Sequence, residues 1–539
     1  MKCNLVLAAL AGLAGLAATA AAADCPAYEQ YARQRHEPFS RGKYKFPYQR
    51  PAKECRSYAV PEVERVLDDM KRKVRDPDLY QLFLNTWPNT VDTTVLWHGT
   101  SAENPEEELA FVITGDINAM WLRDSANQLQ SYKPILNGGS TAAGAAANDT
   151  NNIAALFRGA INLQGRYLRK YPYCNAFQPP AESKIPPIHH KRSESDHHNL
   201  LLQSHSHSRR DTVSPPYNPN EVWECKYELD SIAAFLQLSH DYHDATGDAA
   251  FFGRFAWRQT VAVLLDTARA LMAGTYAADG RVQPSPYTWL RDANTATEVV
   301  ANAGRGSPVA DRIGMVRSFF RPSDDSTTYQ YFVPANMMFA KNLENCAVIM
   351  RGIDAAALAR DMEDMAAGIR GAIDEHAVVR HPQHGDIYAY EVDGFGSVNF
   401  MDDANIPSLL SIPHLGYASN DDAIYKRTRE FVLGRSNPYF GTGPVLNSTG
   451  GPHLGPGMAW PMGVIMRIMT SDHDDEIVAC LKMLMGATSG LGLIHESVNT
   501  FDDSNWSRPW FAWANGLFGQ MLIDLSERKP RILQRSFQN

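Results

Sequence analysis

The chain lacks most of the signatures that announce cofactor or nucleic-acid chemistry. Its seven cysteines form no CxxC pair, which disfavours a zinc site. No phosphate-cradling glycine loop or P-loop lysine is present, so nucleotides have no recognisable place to bind. Basic residues form no block, and 51 Lys and Arg are outnumbered by 60 Asp and Glu, so a chain of formal charge −9 makes a poor partner for nucleic acid. Beyond the N-terminal stretch no run is apolar enough to span a bilayer, and no stable membrane contact is expected once that stretch is removed. Clear βαβ alternation and repeats of fixed period are both missing, which counts against a parallel-sheet fold and an ordinary solenoid. What remains is a 539-residue chain, 44% hydrophobic, long enough for two or three domains or one large closed architecture.

The N-terminal stretch, "MKCNLVLAALAGLAGLAATAAAADC", has an early Lys2, a Leu/Ala-rich run and small residues before Asp24, the pattern of a signal peptide over residues 1–23. An N-terminal anchor is the alternative, because the run is nearly long enough to span. The expected location is the secretory pathway, with secretion favoured over Golgi retention. Removing the signal takes away Lys2 and Cys3, which leaves Cys25, Cys55, Cys174, Cys225, Cys346 and Cys480. An even number suits a secreted chain with disulfides. Cys25 and Cys55 flank an N-terminal arm at 24–48, Cys174 and Cys225 flank an unusual insert, and each set is expected to pair. Sequons at Asn148, Asn447 and Asn505 agree with a glycosylating route. The insert, at about 179–216, carries His189, His190, His197, His198, His205 and His207 among serines and charges. Six histidines invite a metal reading, but the surrounding composition is that of a flexible loop, so no metal and no cofactor is expected.

Elsewhere apolar residues recur at three- and four-residue spacing, as in "NIAALFRGAINLQGRYLRKY" and "AAALARDMEDMAAGIRGAIDEHAVV". About a dozen such segments without strand alternation point to an all-α fold, a single α/α toroid of six helical hairpins over 49–528 followed by a tail at 529–539. "DDANIPSLLSI" is counted among the helices. The loops between helices concentrate carboxylates, rings and arginines: Asp116, Trp121, Arg123 and Asp124; Arg321, Asp324 and Asp325; His495, Glu496, Arg508, Trp510 and Trp513. Sugars suit this mixture, since aromatic faces cover the apolar side of a pyranose while carboxylate and guanidinium groups bond its hydroxyls.

"MWLRDSANQLQSY", "FRPSDD", "VPANMM", "DDANIPSLLS", "GTGP", "MAWPMG" and "HES…RPWFAWANGLF" occur in the order found in glycoside hydrolase family 125. The chain resembles that family's exo-α-1,6-mannosidases over roughly residues 45 to 528. The resemblance implies an (α/α)6 barrel that removes a terminal α-1,6-linked mannose from an oligosaccharide or glycan, with inversion and without a metal. By the same resemblance the acid lies in the Asp324–Asp325 doublet and the base is Glu496. The chemistry fits independently: inversion needs a protonated carboxyl near the leaving oxygen and an ionised one that activates water. Either Asp of the doublet can be the acid, and the other can cap a helix before "STTYQY". Arg123 and Asp124 read either as sugar ligands with Trp121 or as a structural ion pair. Arg508 and Trp510 are expected to reach the sugar while Phe511 and Trp513 pack the core, and Asp402, Asp403 and Asn405 touch substrate or cap a helix. Two other classes stay open: an epimerase or lyase with His495 as its base, and a non-catalytic mannan-binding toroid that keeps the rings but dispenses with acid and base.

Overall fold

The computed structural model describes residues 25–138, 153–188, 211–293 and 296–538. The signal segment, the Asn148 sequon and the six histidines of the insert lie outside the described residues. Twelve helices of nine residues or more organise the described chain: α1 (Pro61–Lys73), α2 (Pro77–Thr86), α3 (Leu122–Gln130), α4 (Ile153–Lys170), α5 (Leu229–Thr246), α6 (Trp257–Leu271), α7 (Val333–Gly352), α8 (Ala356–His376), α9 (Ala423–Val432), α10 (Pro461–Met469), α11 (Asp474–Gly486) and α12 (Ala512–Arg528). They build an (α/α)6 barrel. An inner ring runs α12, α3, α5, α7, with α10 packing back on α12, while α2, α4, α8 and α11 lie outside against α12, α5, α7 and α10.

Position in the barrel is written in each helix's pattern. Outer α8 buries one stripe at helical spacing, Ala359, Met362, Met365, Ala366, Ile369, Ala372 and Ile373, and leaves the rest wet. Inner α7 buries residues all round, including the polar Asn336 and Asn342, because it is packed on every side. The run "DDANIPSLLSI" departs from expectation: residues 404–418 form turns and bends where a helix was expected. Pro407 and Pro413 cannot donate to a helical ladder, and Asp402 draws in the Leu409 and Leu410 amides at 2.8 and 3.1 Å.

Inner helices begin in an unusual way. None of the N-cap residues Trp121, Glu228, Phe332, Trp460 and Phe511 makes a side-chain cap. Instead each helix follows extended chain, and in four of the five the first amide donates sideways: Leu122 N to Asn175 O at 3.0 Å, Leu229 N to Ser318 Oγ at 3.0 Å, Val333 N to Tyr390 O at 3.0 Å and Ala512 N to Thr114 O at 3.1 Å, while the fifth begins with Pro461, which has no amide to satisfy. Cap positions are thereby released for large or charged side chains.

Both expected disulfides are present, Cys25–Cys55 and Cys174–Cys225, while Cys346 and Cys480 are free and buried. The arm is packed down: Tyr28 donates to Gln49 O at 2.9 Å and Phe46 is fully buried. The tail is held too, with Phe537 N on Asp76 Oδ2 at 2.7 Å. Of the insert's ends, Ile188 exchanges hydrogen bonds with the Gln178 amide, and Thr212–Ser214 pairs with Thr288–Leu290.

Barrel closure passes through one close approach. A Cβ at Gly519 in α12 would stand 2.3 Å from Trp87 Cδ1 and 2.5 Å from Trp87 Cβ, so only glycine lets α12 meet the end of α2. Gly519→Ala is therefore expected to destabilise by about 1–3 kcal/mol, the usual cost of overpacking, visible as a lowered thermal midpoint. An unchanged midpoint would mean that the two helices part freely.

Candidate active site

The N-terminal ends of inner helices α3, α10 and α12 meet at a cavity. Its aromatic walls are Trp121, Trp460, Phe511 and Trp513. Three of these are the N-cap residues of α3, α10 and α12, released by sideways amide bonds in α3 and α12 and by Pro461, which has no amide to cap, in α10. The indole N–H groups of Trp121, Trp460 and Trp513 are buried without a protein partner. Unpaired buried donors are costly unless something at the cavity accepts from them. The polar lining comprises Arg123, Asp124, Asp324, Asn405, His453, Glu496 and Arg508.

On one side Arg123 dominates. Its guanidinium, 3% exposed, bonds Glu228 at 2.7 Å, Asp124 at 3.2 Å, Asp230 at 3.3 Å and Asp324 at 3.5 Å. Asp324 lines the cavity from the loop before α7, with φ of 65°. Lys226 Nζ fixes that strained turn by donating to the Asp324 carbonyl at 2.9 Å. Burial opposes charge on the Asp324 carboxyl, but Arg123 and Lys226 outweigh it and hold the group below the usual range. Its neighbour Asp325 points elsewhere, at 3.0 Å from His453 Nδ1, and is absent from the cavity wall. The doublet does not cap a helix, since 322–330 is turn and extended chain. Burial disfavours a charged His453, yet Asp325, with Glu496 and Asp324 behind it, raises it to about 9.

On the other side stands Glu496. Its Oε2 accepts from Ser507 Oγ at 2.8 Å, and Oε1 lies 3.6 Å from Arg508 Nη1. Arg508, also at positive φ (54°), lies over Phe511 at 4.7 Å and is held by Asp116 through Nε at 2.8 Å. Asp116 thus acts on the cavity through Arg508.

Several sequence candidates fall outside the cavity. Trp510 is turned away: its Nε1 donates to Asn89 and Thr93, each at 3.1 Å, and Tyr28 packs edge-on against its ring. The expectation for the four-ring run is therefore inverted, with Phe511 and Trp513 lining the cavity and Trp510 in the core. Adjacent positions cannot share a face, and the Gly115–Phe511 bridge sets which side Trp510 takes. Arg321 is consumed by Glu391 at 2.6 Å. Asp402 ties the 409–410 turn, where burial pushes it up to about 8, while Asp403 holds Asn405 at 3.1 Å and only Asn405 reaches the cavity. His495 is fully buried, its ring nitrogens facing the Arg508 and Thr488 carbonyls at 3.1 and 3.3 Å, and burial lowers it to about 4. A base so enclosed has no access to a substrate C–H.

Sequence reasoning missed His453, Trp460 and the segment 224–230. The signal for the last was alternation in "ECKYELD": Glu224, Lys226, Glu228 and Asp230 share one side, while Cys225, Tyr227 and Leu229 face the core.

Comparison with known proteins agrees with this geometry. The family model described as metal-independent alpha-mannosidase (GH125) matches residues 76–523. The meiotically up-regulated gene 157 protein of Schizosaccharomyces pombe is 41% identical over 514 residues, covering 95% of this chain and 94% of that one. A Streptococcus pneumoniae metal-independent α-mannosidase, solved in a non-productive complex with α-1,6-mannobiose, superimposes with a TM-score of 0.72 at 28% identity, covering 87% of this chain and 99% of that chain.

The His453–Asp325 pair makes stability depend on pH with a definite sign. A folded-state pKa of about 9 against an unfolded value of about 6.5 gives stabilisation that is complete below pH 6.5 and disappears as pH rises through 9. The gap in thermal midpoint between the parent and His453→Gln is expected to be widest below pH 6.5 and to narrow up to pH 9. A gap independent of pH would mean that His453 is not charged in the folded protein.

Proposed function

The chain belongs to the GH125 metal-independent α-mannosidases and is a glycoside hydrolase, and from that premise we propose that it removes terminal non-reducing α-1,6-linked mannose with inversion. The α-1,6-mannobiose bound by the structural neighbour supports the linkage. The observation that carries the reading is an enclosed cavity with two carboxyls on different loops, Asp324 and Glu496, among three tryptophans with unpartnered N–H groups.

Asp324 serves as general acid: its proton passes to the glycosidic oxygen as the C1–O bond breaks and the electron pair leaves with oxygen. Glu496 serves as general base, drawing a proton from the water that attacks C1, with Ser507 and Arg508 fixing its orientation. Asp325 holds His453 at the wall. The indole donors of Trp121, Trp460 and Trp513 bond hydroxyls of the sugar and their faces cover its apolar side. An N-terminal stretch with the pattern of a signal peptide, together with two disulfides, supports a place in the secretory pathway, with secretion favoured.

Purified protein incubated with α-1,2-, α-1,3- and α-1,6-mannobiose should release mannose from the 1,6-dimer alone, first as the β-anomer by NMR. Initial α-mannose would mean retention and overturn the mechanism. Glu496→Gln should lose at least ~10²-fold in turnover with binding retained. Asp324→Asn should be slow on mannobiose yet recover on a dinitrophenyl mannoside, whose leaving group needs no proton; Asp325→Asn should show no such recovery. Equal recovery in both variants, or in neither, removes the case for Asp324 as the acid.

A further inference from the structure

Around Arg123 the charges do not balance. Asp124, Glu228, Asp230 and Asp324 all contact this one guanidinium. Glu228 and Asp230 side chains have no solvent exposure. The neighbouring cation is committed elsewhere, because Lys226 Nζ donates to the Asp324 carbonyl and pairs with Glu224 at 3.3 Å. Three buried carboxylates and a fourth at the cavity edge cannot all stay ionised around this one guanidinium, so the cluster retains a proton.

The proton's place follows from hydrogen bonding. Glu228 and Asp324 sit on adjacent nitrogens of the guanidinium, Nη1 and Nη2, within reach of a carboxyl–carboxyl hydrogen bond. Two carboxylates cannot bond without a proton between them, because an ionised carboxyl only accepts. We propose, on the reading of Asp324 as the acid, that Glu228 and Asp324 form one acid in which Glu228 keeps the proton in the free enzyme and returns it to Asp324 as the glycosidic oxygen takes one.

The balance is simple. Glu228 passes its one proton to Asp324, which hands it to the leaving oxygen, and Glu496 collects one from the attacking water; after product release one proton leaves Glu496 for solvent while one re-enters through the exposed edge of Asp324 and returns to Glu228. Glu228 touches no substrate and acts through Asp324. The surroundings point the same way: burial, with Asp324 and Asp230 adding to it, outweighs Arg123 and pushes Glu228 far above the usual range, while Asp324 is held low. The other groups facing Glu228 are Asn175, donating at 3.2 Å, and Ser231, donating at 2.9 Å, with the Tyr287 phenol nearby.

The arrangement makes opposite predictions for two quiet substitutions. Glu228→Gln preserves volume and a contact to Arg123 but offers Asp324 an amide donor and no spare proton. On mannobiose kcat should fall about tenfold or more with KM nearly unchanged, the loss should largely vanish on a dinitrophenyl mannoside, and the alkaline limb of kcat/KM should move down by about one pH unit or more. Ser231→Ala removes a donor that favours ionised Glu228 and should move the same limb upward. Asp230→Asn, which removes a charge that raises Glu228, should move the limb down by less than Glu228→Gln does. A limb that follows Asp230 and ignores Glu228, or shifts of the same sign in Glu228→Gln and Ser231→Ala, would overturn the proposal; if Glu228→Gln fails to fold, the sign of the Ser231→Ala shift decides. Failure of the parent itself on mannobiose would instead count against the activity proposed above.

Discussion

One buried guanidinium sets the geometry of this protein. Arg123 enters at the start of α3, Glu228 and Asp230 at the approach to α5, and Asp324 from the loop before α7, so three successive hairpins of the barrel converge on a single cation. Losing one partner from a buried pair typically costs about 3–5 kcal/mol. Removing Arg123 would strand several carboxylates at once, and they would respond by taking protons rather than remaining charged. The cluster thus binds structure and protonation together. It also holds Asp324 in a left-handed conformation that an aspartate would not choose, with the carbonyl drawn to Lys226 and the carboxyl to Arg123.

The inner helices serve that cluster by surrendering ordinary caps. α2 and α9, outside the ring, start with Asp76 and Asp422 folded back onto their first amides, the usual economy of a surface helix. At the site the same positions hold Trp121, Trp460, Phe511 and Glu228, and the first amides are answered by neighbouring chain instead, or in α10 replaced by Pro461. Those helix starts carry partial positive charge toward the cavity, which favours the carboxylates gathered there. A toroid in which every inner helix points its N-terminus the same way therefore supplies both the rings and a favourable field at one end.

How far the sequence reveals this depends on the range of the interaction. Helical period, the two disulfide pairings and the family motifs are local or contiguous patterns, and barrel, bridges and the general location of the site all follow from them. Orientation within a motif is not local. Trp510 and Trp513 look alike in "RPWFAWAN", and their fates are decided by Asn89, Thr93 and Gly115, about four hundred residues away in sequence. The same holds for the aspartate doublet, where the partner that removes Asp325 from the wall is His453, far down the chain in a glycine-rich loop. "DDANIPSLLSI" misled for a different reason: its apolar spacing is helical, but two prolines and a carboxylate able to take backbone amides outweigh periodicity over so short a run.

The segment 224–230 was legible and overlooked, because an alternating charged stretch of seven residues looks like the wet edge of a sheet. In the barrel both of its sides are dry, the charged one included, which inverts that appearance. That inversion needs the segment fixed, and the Cys174–Cys225 bridge does so from the face opposite Glu224 and Lys226. Asn175, next to the bridge, accepts from the Lys226 amide at 3.0 Å and donates to Glu228 at 3.2 Å, so the covalent link and the hydrogen bonds to the acid cluster are consecutive residues of one strand pair. A disulfide is commonly credited with restraining the unfolded chain. Here its position has a second consequence: the bridge fixes Cys174 against Cys225 just beyond the paired strands Ala176–Phe177 and Val222–Glu224, so the bonds from Asn175 to Glu228 and from Lys226 to the Asp324 carbonyl start from a covalently fixed point.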